Sequence, residues 1–179
     1  MMYPSLRGGN ENPGYVETVY GEVDDVIAAT KWLKTLDYVD TDRVYLGGHS
    51  TGGTLALLVA AACDEYRGVI AFGPIDDVRG YGPDSLAFDF DDLDEATMRA
   101  PICWLHCIKN PTYVIEGAEG RSNVDCLKTM EEASENPLIK FVPVERHDHF
   151  STLAPLNRVI AKQLVNDTRK SFELDLQVE

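Results

Sequence analysis

Apolar residues in this chain alternate between short continuous runs and longer stripes at helical spacing. The runs Arg43–Leu46, Gly68–Phe72, Pro111–Ile115 and Leu138–Val144 are too short for buried helices and rich in β-branched and aromatic residues, so they predict buried strands. Ahead of the first run, Val23, Val26, Ile27, Ala29, Trp32, Leu33 and Leu36 recur near every 3.6 residues, which predicts an amphipathic helix. The uninterrupted Ala/Leu stretch Thr54–Ala62 predicts a helix buried on all sides. Two further helices are expected over Val124–Ser134 and about Ala154–Val165, and a short one is expected to begin at Pro101–Leu105. Met1–Leu6 reads as the end of a strand, and the charged tail from Asp167 is expected to fray. Strands alternating with helices imply an α/β fold, with a largely parallel sheet covered on both faces.

One segment breaks the alternation. Residues 73–100 form a long insert rich in Asp, Gly and Pro, with a helical tail at Leu93–Arg99, expected to act as an acidic cap or mobile loop. Residues 1–179 otherwise read as a single domain, without repeats or linkers. The net charge of −14 argues against nucleic acid as a partner, since a polyanion would be repelled. Much of that charge is local, at Asp76, Asp77, Asp84 and the cluster from Asp89 to Glu95, where a solvated face is the expected meaning. These acids lack the glycine-centred spacing of a calcium loop. The four cysteines have no paired zinc-ligand spacing and are expected to be reduced and buried, so no metal is expected. No apolar run is long enough to span a bilayer, the N-terminus has no signal-peptide pattern, and a cytoplasmic location is the expectation.

The chemistry begins at Gly48-His49-Ser50-Thr51-Gly52. A G-x-S-x-G alone is weak evidence and could be a glycine-rich turn with an incidental serine. Here a strand precedes it and a helix follows, which is the setting of a nucleophile elbow. The tight turn lifts the Ser50 hydroxyl above the sheet edge, excludes bulky flanking side chains and aims the first helical N–H groups at the same point. A phosphate-binding loop is excluded by the absence of the Gly-Lys-Ser/Thr ending.

A serine hydroxyl needs a base, and the base needs an acid to orient it. In an elbow fold these follow in the order serine, acid, histidine. Only His147 and His149 lie in the loop after the last predicted strand, where a base can reach Ser50. His149 is the choice, because Phe150 beside it can pack inward and anchor the loop. The acid is expected after the strand ending at Val114-Ile115, with Glu116, Glu119 and Asp125 as candidates. Glu119, at the loop tip, is preferred, since Glu116 sits near the strand end and Asp125 in the following helix. The Thr51 N–H is expected to supply one oxyanion donor.

These residues resemble the α/β-hydrolase catalytic domain of the prolyl oligopeptidase group of serine peptidases, with dienelactone-hydrolase-like esterases as close relatives. The resemblance rests on Pro4–Gly8, Asn12–Gly14, Gly21–Val26 and the lead-in Tyr38–Leu46 to the elbow, and it covers roughly Pro4 to Leu164. It implies an α/β-hydrolase fold, Ser50 as nucleophile and His149 as base. Where the family carries its usual aspartate, this chain has Ala118-Glu119-Gly120. The family's first strands, the loop bringing the second oxyanion donor and its N-terminal propeller domain have no counterpart here, so a truncated domain is expected. The expected function is cleavage of a small ester or peptide substrate through an acyl-enzyme, without a cofactor. The competing expectation is a catalytically weak or inert scaffold, and an unpaired sheet edge would favour a homodimer.

Overall fold

The computed structural model describes residues 1–168 and 171–176. Four parallel strands, β1 (Tyr45–His49), β2 (Gly68–Phe72), β3 (Thr112–Gly117) and β4 (Ile139–Val144), pair in chain order. Five helices accompany them: α1 (Gly21–Leu33), α2 (Thr51–Ala62), α3 (Leu93–Arg99), α4 (Val124–Ala133) and α5 (Leu153–Val165). This is the expected α/β architecture, and each predicted strand run lies within two or three residues of an observed strand. β1 starts and ends later than its apolar run. Thr41–Arg43 form a 3-10 turn, with the Asp40 carboxylate accepting the Asp42 N–H, and the ladder with β2 continues through Gly47 and Gly48 to His49.

Strand alternation divides the core into two faces. Val69, Ala71 and Val114 face α1, α2 and α4, packing with Val26, Leu57, Val59, Leu127 and Met130. Ile70, Phe72, Tyr113 and Ile115 face the opposite side, packing with Leu156 and Ile160 of α5. α5 leaves part of that second face open, and the C-terminal segment covers it. Phe172 and Leu174 are buried there, with the Phe172 ring 5.2 Å from Tyr45 and edge-on to Tyr113 at 5.9 Å. The Leu174 N–H donates to the Tyr113 hydroxyl at 2.7 Å. Asp167 accepts from the Tyr45 hydroxyl (2.6 Å) and from the Arg67 guanidinium (3.0 Å). The tail from Asp167 therefore does not fray over its described part. Its charged residues disguise two apolar anchors that the second face requires. Residues 169–170 and 177–179 of the expected fraying tail lie outside the described residues.

The N-terminus also departs from expectation. Met1–Leu6 join no ladder, because β1 pairs only with β2 among the described residues. The segment is held instead by Arg7, whose guanidinium bridges Glu17 (2.7 Å) and Asp25 (2.9 Å). The short helix expected to begin at Pro101 is two 3-10 turns, Pro101–Cys103 and Leu105–Cys107. Among the described residues no helix is long and apolar enough to cross a membrane.

The insert is tied down at both ends. Ile75 N–H donates to Thr54 Oγ1 (3.1 Å), and the Tyr81 hydroxyl lies 2.9 Å from the same oxygen. At the far end the buried Arg99 guanidinium stacks between the Tyr20 and Phe88 rings, at 4.8 and 4.6 Å, and donates to the Glu17 carbonyl. Two tests follow from this packing. Phe172→Ala should destabilise the fold by about 3–5 kcal/mol in a denaturant titration; an unchanged midpoint would show that the tail is dispensable. The Arg7 guanidinium hydrogen-bonded to Asp25 holds that carboxyl below its ordinary value of 3.8. Its stabilisation is therefore present above 3.8 and is lost as pH falls through the lower folded-state value. The stability gap between wild type and Asp25→Asn should accordingly close on acidification, and a gap independent of pH would contradict this assignment.

Candidate active site

Ser50, Glu116 and His149 all lie at the carboxyl ends of the parallel strands, where an open α/β sheet presents its loops. Ser50 follows β1 directly. Its backbone has φ 57° and ψ −121°, outside the regions a serine adopts without strain. Three backbone hydrogen bonds hold it there. The Ser50 N–H donates to the Phe72 carbonyl (2.8 Å), and the Ser50 carbonyl accepts from Gly53 (2.8 Å) and Thr54 (3.0 Å) in the first turn of α2. A Cβ on Gly48 would sit 2.0 Å from the Gly52 carbonyl oxygen, and one on Gly53 2.5 Å from that of Phe72. Gly52 meets nothing within 4 Å. The crowded positions of the turn are therefore Gly48 and Gly53, not the motif pair Gly48 and Gly52. Thr51 heads α2, so its N–H points out of the helix N-terminus beside the serine.

His149 lies in the loop between β4 and α5, and its side chain is only 12% exposed. Its Nδ1 is 2.9 Å from Glu116 Oε2. The expected acid, Glu119, is elsewhere: it is exposed at the loop tip, and its Oε1 accepts the Arg146 N–H at 3.1 Å. Asp125 is exposed in the first turn of α4. The carboxylate facing the histidine is thus Glu116, the candidate set aside as too near the strand end. β3 runs two residues beyond the predicted strand, to Gly117, and carries Glu116 to the sheet's upper edge opposite Pro143 of β4. The missing signal was the length of that strand. A charged residue ending an apolar run marks an edge position as readily as a loop position.

Glu116 is 1% exposed, and both its oxygens are used. Oε2 faces His149, and Oε1 accepts the Gly117 N–H at 2.8 Å. A carboxylate that already receives a backbone N–H and is placed 2.9 Å from an imidazole nitrogen accepts from that nitrogen too. His149 then carries its proton on Nδ1 and presents the lone pair of Nε2. Gly73, after β2, makes room for the pair. Its φ is +55°, and a Cβ there would lie 2.3 Å from Glu116 Oε2 and 2.6 Å from His149 Nδ1. Its carbonyl is held by Asn123 Nδ2 at 2.9 Å.

His147, the alternative base, and His106 lie apart from this pair. His147 Nδ1 faces the Glu145 carbonyl at 2.9 Å, and His106 contacts Cys107 Sγ at 3.4 Å. Phe150, expected to pack inward, is 67% exposed and stands edge-on to the His149 ring and tilted against that of His49 instead. The anchoring falls to Thr152, whose N–H and hydroxyl both reach the Asp148 carbonyl. All four cysteines are free, but none is buried as expected: Cys63, Cys107 and Cys126 are half-buried and Cys103 is exposed. Burial pushes the Cys126 thiol up to about 11, leaving it protonated and a poor nucleophile at neutral pH. Among the described residues no cluster of His, Cys, Asp and Glu could hold a metal ion.

The sequence profile of the prolyl oligopeptidase family matches residues 3–106, more than half of the 179-residue chain. The chain belongs to the prolyl oligopeptidase family. The matched region contains Ser50 and ends before Glu116 and His149, so those two rest on the geometry alone. No curated protein sequence matches this family member. Its fold is similar to that of dipeptidyl peptidase 4 from Porphyromonas gingivalis, with TM-score 0.63 and 20% identity over 85% of this chain and 23% of that one. It is similar to acylaminoacyl peptidase from Pyrococcus horikoshii, with TM-score 0.68 and 13% identity over 87% and 30% of the two chains. An esterase from Pyrococcus furiosus gives TM-score 0.67 and 20% identity over 90% and 66%. The chain thus spans less than a third of the length of either peptidase.

The close approach at Gly73 gives a direct test of the site's packing. Gly73→Ala should cost about 1–2 kcal/mol through its left-handed backbone alone and should push the Glu116 and His149 side chains apart in a crystal structure. An alanine variant with wild-type stability and an intact Glu116–His149 contact would contradict the description.

Proposed function

We propose that this chain is a serine hydrolase that cleaves ester or amide bonds with Ser50 as nucleophile, His149 as base and Glu116 as the orienting acid. The observation that carries the proposal is the contact between the buried Glu116 carboxylate and His149 Nδ1. An acid there fixes the imidazole in the tautomer that can take a proton on Nε2 and stabilises the imidazolium once it has. Ser50 Oγ attacks the carbonyl carbon as its proton passes to His149. The developing oxyanion is met by the Thr51 N–H at the head of α2, where the helix dipole favours negative charge. The tetrahedral intermediate collapses, the leaving amine or alcohol takes the proton from His149, and the acyl group remains on Ser50. Water, deprotonated by the same histidine, then releases the acid and regenerates the serine. Every step uses the chain's own groups and water.

Family membership supports a hydrolase, and the folds of both peptidases and an esterase support substrates of either bond type. The test is covalent labelling with a fluorophosphonate, with the modified residue located by peptide mass spectrometry. Wild type should be labelled at Ser50, and Ser50→Ala should not react. Glu116→Ala should slow turnover on the order of 10⁴-fold, as for loss of a triad acid, while Glu119→Ala should stay within a few-fold of wild type. A folded wild type that resists the probe would overturn the proposal in favour of a non-catalytic role.

A further inference from the structure

The residue immediately before the nucleophile is a histidine turned toward the base. His49 Nε2 lies 3.0 Å from the backbone carbonyl oxygen of His149. A carbonyl only accepts, so His49 carries its proton on Nε2 and donates it. The two imidazole rings lie 4.5 Å apart between centroids and are tilted by 40°. Phe150 stands against both, 5.0 Å from the His149 ring and 5.4 Å from that of His49.

Other ties of the base loop lead away from the serine. The His149 N–H donates to the Arg121 carbonyl (3.0 Å), and the Glu119 N–H donates to the His147 carbonyl (2.9 Å). Both fix the loop against the segment after β3, which carries the acid. Glu116 holds the imidazole itself, again from β3. Ser50 lies two strands away from Glu116, just past the end of β1, and none of these three hydrogen bonds reaches that strand. The His49 contact spans that gap, since it runs from the last residue of β1 to the backbone of the base.

We infer that His49 is a positioning residue, whose Nε2–H bond to the His149 carbonyl, together with the ring contact, sets the distance between the base and Ser50. The inference rests on the hydrolase reading above. His49 touches neither substrate nor reacting atoms in this role. Its hydrogen is committed to a carbonyl, and its ring supports one flank of the imidazole that Glu116 grips from the other side.

Two substitutions separate the parts of the contact. Glutamine places an amide N–H the same number of bonds from Cα as His Nε2, so His49→Gln keeps the donor. His49→Phe keeps an aromatic ring and loses the donor. The readouts are the rate of fluorophosphonate labelling, kcat and KM on p-nitrophenyl acetate, and the melting temperature. A misplaced base should slow His49→Phe by about 10- to 100-fold in labelling and kcat, with KM and melting temperature near wild type, and His49→Gln should recover most of the rate. A His49→Phe variant as fast as wild type, or glutamine and phenylalanine variants equally slow, would overturn the inference. Nitrogen-15 spectra of the imidazoles at neutral pH give a readout independent of activity. A protonated Nε2 and bare Nδ1 on His49 support the contact, and the opposite tautomer overturns it. An unreactive wild type would instead overturn the hydrolase reading, and the tautomer would still decide the contact between His49 and His149.

Discussion

The parallel register of β1 on β2 runs one residue beyond β1, through the hydrogen bond from the Ser50 N–H to the Phe72 carbonyl. That bond forces the chain to leave the sheet and enter α2 within a single residue. The strained Ser50 backbone follows, as does the crowding at Gly48 and Gly53. A strained residue persists only where its surroundings over-determine it. Here the surroundings are the buried strand β2 and a helix whose residues from Gly53 to Ala60 are buried. The same ladder ends at Phe72, so Gly73 turns directly beneath the space that Glu116 and His149 fill. One register therefore fixes the serine and leaves room for its partners.

The Glu116 carboxylate is attached closely to this frame. An orienting carboxylate on a loop depends on the loop's own order. Glu116 is a residue of β3, paired in register with β4, and its second oxygen is anchored by the next backbone N–H. Burial removes competing water, which strengthens its hold on the imidazole and makes the loss of either partner costly. The tail contributes from the opposite face, where Phe172 and Leu174 close the core beneath β1 and β3.

Much of this was legible in the residue pattern. The four strands, the buried helix after Ser50 and the helix at Leu93–Arg99 all follow from periodicity and chain order. Glu119 is the sequence's preferred candidate only if the strand ends at Ile115, and the structure instead places Glu116 against His149. Only the ladder with β4 shows that backbone pairing extends through Glu116 to Gly117. The tail hides its packing for a related reason: its apolar anchors Phe172 and Leu174 are isolated among charges, and their value depends on an uncovered sheet face that no local pattern reveals. Phe150 went the other way, an aromatic expected inside that stands exposed beside the two histidine rings. Local pattern reports which residues can be buried, and the tertiary arrangement decides which are.

On the reading proposed above, Glu116 and not Glu119 holds the Nδ1 proton of His149. The most direct measurement is proton NMR of the imidazole N–H region with His149 assigned by substitution. The account predicts a downfield, exchange-protected Nδ1–H signal that survives Glu119→Gln and moves upfield or vanishes in Glu116→Gln. A signal lost in Glu119→Gln and unchanged in Glu116→Gln would contradict it.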